Sequence, residues 1–261
     1  MAKRSKVFES FADAVADIPD GASIAFGGFA YPGVPFNLIA ALLKQGAKGL
    51  TCITNGTGGS APDRMPDIGM LVQNDQVAKV VASFTAPTRA SDRIPLTQYV
   101  AEGKVVAELV PQGTLAERLR AAGCGIPAFY TPTAVGTELA AGRETRVFGG
   151  REYLLEEALP VDVAFIRAWK ADTAGNLLFR RSQRNFNPLM AMAAKMTIVE
   201  VEEDFLEPGA IDPDDVHTAS IFVHRMVKIP AAPEGLWPGR RPERAPAKEN
   251  PERAAPKEKQ S

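Results

Sequence analysis

Asp20-Gly21-Ala22-Ser23-Ile24-Ala25-Phe26-Gly27-Gly28-Phe29-Ala30-Tyr31-Pro32-Gly33-Val34-Pro35 is the stretch from which the fold is read. Ser23 to Phe26 is a short apolar strand that runs straight into two glycines. Gly33 follows between Pro32 and Pro35. Leu38, Ile39, Ala41 and Leu42 then recur at helical spacing. A strand, a glycine turn and a helix in that order bring backbone N–H groups close to whatever lies beyond the strand. Such a turn suits a pyrophosphate or a developing oxyanion.

Downstream, strands and helices alternate with short connections. Phe8–Ala16 reads as a helix and Phe36–Gln45 as another. Strands are expected over 49–54, 77–83, 105–110, 161–168, 197–201 and 221–227, with helices over 65–74, 96–102, 114–122 and 187–194. This order predicts an α/β fold, an open and mainly parallel sheet flanked by helices. Residues 1–229 form one domain in this reading. From 230 to 261, seven of 32 residues are proline and twelve are charged. That segment has too little apolar surface to offset its ordering entropy and is expected to be a disordered tail.

Composition narrows the function. The 261 residues carry a net charge of −1, so neither nucleic acid nor an anionic membrane is an expected partner. No apolar run approaches the roughly 20 residues that span a bilayer. Cys52 and Cys124, the two cysteines, lack zinc-site spacing, and a reducing cytoplasmic setting is expected. No metal site and no resident cofactor is expected.

In open parallel sheets, ligands bind beyond the carboxyl ends of the strands. Four polar clusters fall there: Gly27-Gly28-Phe29, Thr54-Asn55-Gly56, Ser83-Phe84-Thr85 and Pro111-Gln112-Gly113-Thr114. Thr114 is expected to cap the following helix with Glu117 completing a capping box, which leaves the Gln112 amide free to face the crevice. Amides, hydroxyls and backbone donors suit a polar ligand or an oxyanion. Each cluster taken alone reads as structural; their coincidence at one sheet edge is what points to a site. His217 and His224 read as surface or structural residues. Glu200, Glu202 and Glu203 read as a solvated face. Known nucleophile and metalloprotease patterns are absent, so the chain looks like a binding half-site.

Several segments together carry a resemblance to the class I coenzyme A transferases. Asp20-Gly21 through Gly27-Gly28-Phe29, Gly33 and Pro35 resembles the first signature of the family's alpha chain. Pro111-Gln112-Gly113-Thr114-Leu115, Gly125-Ile126-Pro127-Ala128-Phe129, Trp169-Lys170-Ala171-Asp172 and Arg184-Asn185-Phe186-Asn187-Pro188 are similar to later family segments. The resemblance implies the family fold, with CoA as substrate rather than cofactor. It implies a CoA-binding loop at Gly27, Gly28, Phe29, Ala30, Tyr31, Pro32 and Gly33. Asn55 and Gln112 match positions facing the acyl group and the reacting carbonyl. It also implies a partner, the beta subunit, carrying the nucleophilic glutamate in a Ser-Glu-Asn-Gly-type motif, in an A2B2 heterotetramer. Succinyl-CoA and a 3-oxo acid, acetoacetate or 3-oxoadipate, are the expected substrates. A subunit of an acyl-CoA hydrolase and a non-catalytic sensor of CoA esters are the alternatives. The segment 83–96 departs from the family pattern and bears on substrate identity.

Overall fold

The computed structural model describes residues 5–58, 65–85 and 94–230. Most of the atypical 83–96 segment and of the expected tail therefore lies outside the described residues. Along the chain the elements are β1 (Val7–Phe8), α1 (Phe11–Val15), β2 (Ser23–Phe26), α2 (Phe36–Gln45), β3 (Leu50–Gly56), α3 (Ile68–Gln73) and β4 (Val77–Phe84). They continue with α4 (Pro95–Ala101), β5 (Val106–Leu109), α5 (Gln112–Gly123), β6 (Ala128–Thr131), β7 (Thr145–Phe148), β8 (Arg151–Glu157) and β9 (Val161–Ala168). The last are β10 (Lys170–Ala171), β11 (Leu177–Leu178), α6 (Asn187–Ala193), β12 (Ala194–Val201) and β13 (Arg225–Lys228).

Eight strands form one sheet in the order β1-β13-β12-β9-β2-β3-β4-β5. Every pairing in it is parallel. Helices cover both faces, so successive residues of a central strand enter different cores. Ile24 and Phe26 of β2 join a cluster with Leu38, Ile39 and Leu42 of α2 and Leu71 of α3. Ala25, between them, joins Ile53, Leu115, Leu119 and Met190 on the other side. This division explains the consecutive apolar residues 24–26 of β2, 52–53 of β3 and 163–166 of β9. It also explains the spacing of α2, whose buried Phe36, Leu38, Ile39 and Leu42 lie along one side. Gly46 ends α2 at φ +87° and returns its N–H to the Leu42 carbonyl.

The sheet carries out the predicted architecture, with local corrections. The expected helix over Phe8–Ala16 is shorter, because Val7 and Phe8 pair with Met226 and Val227 as an edge strand. Ser10 then accepts the Asp13 N–H and starts α1. The final strand begins at Arg225 rather than Ile221. Between the expected helix 114–122 and the expected strand 161–168, where the sequence pattern predicts no element, lies a separate antiparallel sheet in the order β6-β8-β7. β6 and β7 are too exposed for an apolar pattern to announce them: neither has a buried residue. Among the described residues, no helix is long and apolar enough to cross a membrane.

Candidate functional site

The sheet winds outward in two directions from the β2–β9 pair. β2 leads to β3, β4 and β5 on one side, and β9 leads to β12 and β13 on the other. The carboxyl ends of β2 and β9 therefore form a switch point, where open sheets leave a crevice. Gly27 lies there, its N–H donating to the Phe165 carbonyl of β9 at 2.9 Å. Phe26 is level with Thr54 of β3, Thr54 with Ala82 of β4, and Ala82 with Leu109 of β5. The register thus brings all four sequence-predicted clusters to one sheet edge.

The turn after β2 is held by its own backbone. Phe29 N–H donates to the Pro32 carbonyl at 3.1 Å. Gly28, Ala30 and Gly33 have φ of +113°, +54° and +77°, a region that favours glycine and leaves Ala30 mildly strained. A Cβ on Gly27 would overlap the Asn187 carboxamide, and one on Gly28 would strike Val34. The glycines are therefore required by the packing beneath the loop, whatever lies above it. Phe29 and Tyr31 are 47% and 62% exposed.

One expectation about the turn changes. The N-terminus of α2 is already occupied by an anion of the chain itself. The Glu200 carboxylate accepts the N–H groups of Asn37 at 2.8 Å and Leu38 at 3.2 Å. Those donors are not available to a ligand pyrophosphate. The N–H groups of Gly28, Ala30, Tyr31 and Gly33 are different: none is bonded to another of the described residues. These are the donors that the loop can offer.

Glu200 is the residue that sequence reasoning misplaced. It is fully buried rather than part of a solvated face. Arg167, in the neighbouring strand β9 and level with it, lies 3.3 Å away. Arg167 also donates to Glu202 at 2.8 Å, and Gln183 donates to the same Glu202 oxygen at 2.9 Å. Burial pushes Glu200 up to about 7, against the pull of Arg167 and the helix N–H groups. A signal was present in the sequence: Arg167 and Glu200 are opposite charges, each one residue from the carboxyl end of an otherwise mainly apolar strand.

At the ends of β3 and β5 the two candidate amides meet. Gln112 donates through Nε2 to Asn55 Oδ1 at 2.5 Å. This fixes Asn55, which is 7% exposed, with its own Nδ2 donors uncommitted among the described residues. The expected cap by Thr114 does not form. Pro111 precedes α5 with φ −52°, and Gln112 is the first helical residue. Thr114 is buried inside the first turn and Glu117 pairs instead with Arg120. Ser83 Oγ and Thr57 Oγ1, at the same edge, are buried without a hydrogen-bond partner among the described residues.

The histidines lie elsewhere and do structural work. His224 Nδ1 accepts the Thr197 N–H at 3.0 Å. His217, half-buried rather than surface exposed, accepts the Phe179 N–H at 3.0 Å and stacks on that ring. Burial lowers the pKa of both, in the direction that favours an accepting nitrogen. The edge therefore combines neutral amides, hydroxyls and free backbone N–H groups. Such a set can orient a polar ligand and stabilise negative charge on oxygen.

Comparison with known proteins gives this edge a context. The Coenzyme A transferase family model matches residues 8–228. The alpha chain of succinyl-CoA:3-ketoacid coenzyme A transferase from Xanthomonas campestris pv. campestris (strain B100) is 49% identical over 217 residues, 83% of this chain and 85% of its own length. The alpha chain of 3-oxoadipate CoA-transferase from Pseudomonas putida is 45% identical over 230 residues, 87% of this chain and 95% of its own. Among solved structures, glutaconate coenzyme A-transferase of Acidaminococcus fermentans shares the fold. Its TM-score is 0.72 at 24% identity, covering 87% of this chain and 76% of the other. With a family match across nearly all of its described residues, the chain belongs to the coenzyme A transferase family.

Proposed function

We propose that this chain is the alpha subunit of a CoA-transferase that moves CoA between an acyl-CoA, such as succinyl-CoA, and a 3-oxo acid, acetoacetate or 3-oxoadipate. The observation that carries this reading is the identity of 45–49% to the alpha chains of succinyl-CoA:3-ketoacid and 3-oxoadipate CoA-transferases, spread along nearly their whole length. The partner is a beta subunit, in an A2B2 assembly of the cytoplasm. Its glutamate, in a Ser-Glu-Asn-Gly-type motif, is the nucleophile, and this chain supplies none.

The reaction divides into exchanges of similar bonds. The partner's glutamate attacks the thioester carbonyl, a C–O bond forms as the C–S bond breaks, and CoA leaves as thiolate, giving a mixed anhydride. The thiolate attacks the glutamyl carbonyl, releasing the first carboxylate and leaving an enzyme–CoA thioester. The second carboxylate reverses both steps and departs as the new acyl-CoA. Each attack places negative charge on a carbonyl oxygen. Asn55, held by Gln112, offers neutral donors there without neutralising the attacking carboxylate. The loop Gly27 to Gly33 borders the CoA arm.

Co-expression with the beta subunit tests the reading. The pair is expected to transfer CoA from succinyl-CoA to a 3-oxo acid, and the isolated chain to transfer none. Hydrolysis of succinyl-CoA without transfer would point to a hydrolase. Binding of CoA esters without turnover by the pair would point to a sensor.

A further inference from the structure

The segment Arg184-Asn185-Phe186-Asn187-Pro188 lies away from the strand ends in sequence, yet it underlies the glycine loop. Asn187 is fully buried at the first position of α6. Its Oδ1 accepts the Arg167 N–H at 3.1 Å. Its Nδ2 donates to the Gly33 carbonyl at 3.2 Å and the Gln183 carbonyl at 2.8 Å. Its carboxamide fills the space where a Cβ of Gly27 would stand, and it also crowds the Cβ position of Gly33. One side chain thus touches both ends of the loop. Asn185 adds a bond from Nδ2 to the Pro32 carbonyl at 2.9 Å.

Between those two ends lie Gly28, Ala30 and Tyr31, whose N–H groups are unbonded among the described residues. Their positions depend on the separation of Gly27 and Gly33. A group that bonds Gly33, packs against Gly27 and is anchored to the β9 backbone sets that separation. We propose that Asn187 is a positioning residue that holds the Gly27–Gly33 loop, with its free backbone donors, in the geometry that receives the CoA ester. The consequence for CoA esters rests on the proposed transferase function. The positioning itself does not.

Asn187→Asp keeps the acceptor for Arg167 but turns an oxygen toward two carbonyls. Gly27→Ala drives a methyl group into the same carboxamide from the other side. Two readouts separate the questions. In the full-length chain, hydrogen exchange over residues 27–35 is expected to quicken in both variants, with α5 unchanged. In the pair assembled with the beta subunit, KM for succinyl-CoA is expected to rise about tenfold while kcat changes less than threefold. A purely structural role would lower the amount of folded enzyme and leave KM unchanged. Unaltered loop exchange in both variants would overturn the positioning claim. Quickened exchange with unchanged KM would overturn its link to the CoA ester. Should Asn187→Asp fail to fold, Gly27→Ala decides both points. A wild-type pair without transferase activity would count against the proposed function and leave the exchange result standing.

Discussion

Replacing Glu200 by alanine is expected to destabilise the chain by about 2–4 kcal/mol at pH 8, because it removes one of the two carboxylate partners of the buried Arg167 and the acceptor of two helix N–H groups. Arg167 stays 6% exposed with one partner fewer, and the N–H groups of Asn37 and Leu38 lose their acceptor. Glu200→Gln retains an acceptor and is expected to cost less. Its pH behaviour is the sharper diagnostic. Glu200 is raised from 4.5 to about 7 in the folded chain. The native state therefore holds a proton that the unfolded state has released between those values. Its contribution is fully present below about pH 4.5 and is lost as pH rises through about 7. Asp162 acts oppositely: hydrogen bonds from Ser23 and Lys195 lower it from 3.8 to about 2, so its contribution is lost as pH falls through that range. Urea denaturation between pH 4.5 and 8 should show a downward slope that Glu200→Gln flattens. An unchanged slope would place the titration elsewhere.

The second large effect is on catalysis. Asn55→Ala in the assembled pair is expected to lower kcat by about 10²–10³, the usual cost of removing one oxyanion donor. KM for the acyl-CoA should move only a few-fold. Gln112→Ala is expected to cost about tenfold, since in the proposed mechanism Gln112 acts only through its hydrogen bond to the Asn55 amide. Combining the two should cost little more than Asn55→Ala alone, because one acts through the other. Steady-state kinetics of the four enzymes checks this. A rise in KM with kcat preserved would make Asn55 a binding residue rather than a stabiliser of the reacting carbonyl.

Much of this arrangement is legible in the chain's own pattern. β2, α2 and β9 occur where apolar runs and glycines place them, because each is buried on both faces or along one clear stripe. The four strand-end clusters meet because parallel pairing in register leaves them no other place. What escaped reading depended on partners distant in sequence. Thr114 looks like a cap only until Pro111 starts the helix ahead of it. Phe8 looks helical until Val227 pairs with it. Glu200 follows an apolar strand and is trailed by Glu202 and Glu203, so its acidic run resembles a surface. Its burial is set by Arg167, 33 positions earlier, and by the open end of α2. Asn187 likewise has no local signal, since its role is defined by Gly27 and Gly33.

The central claim is a division of labour: this chain shapes the site, and its partner carries the covalent intermediate. Intact mass measurement after mixing the assembled pair with succinyl-CoA, without an acceptor acid, tests it most directly. The account predicts that the beta subunit gains the mass of one CoA thioester and that this chain stays unmodified. A CoA adduct on this chain, or turnover by this chain alone, would contradict it.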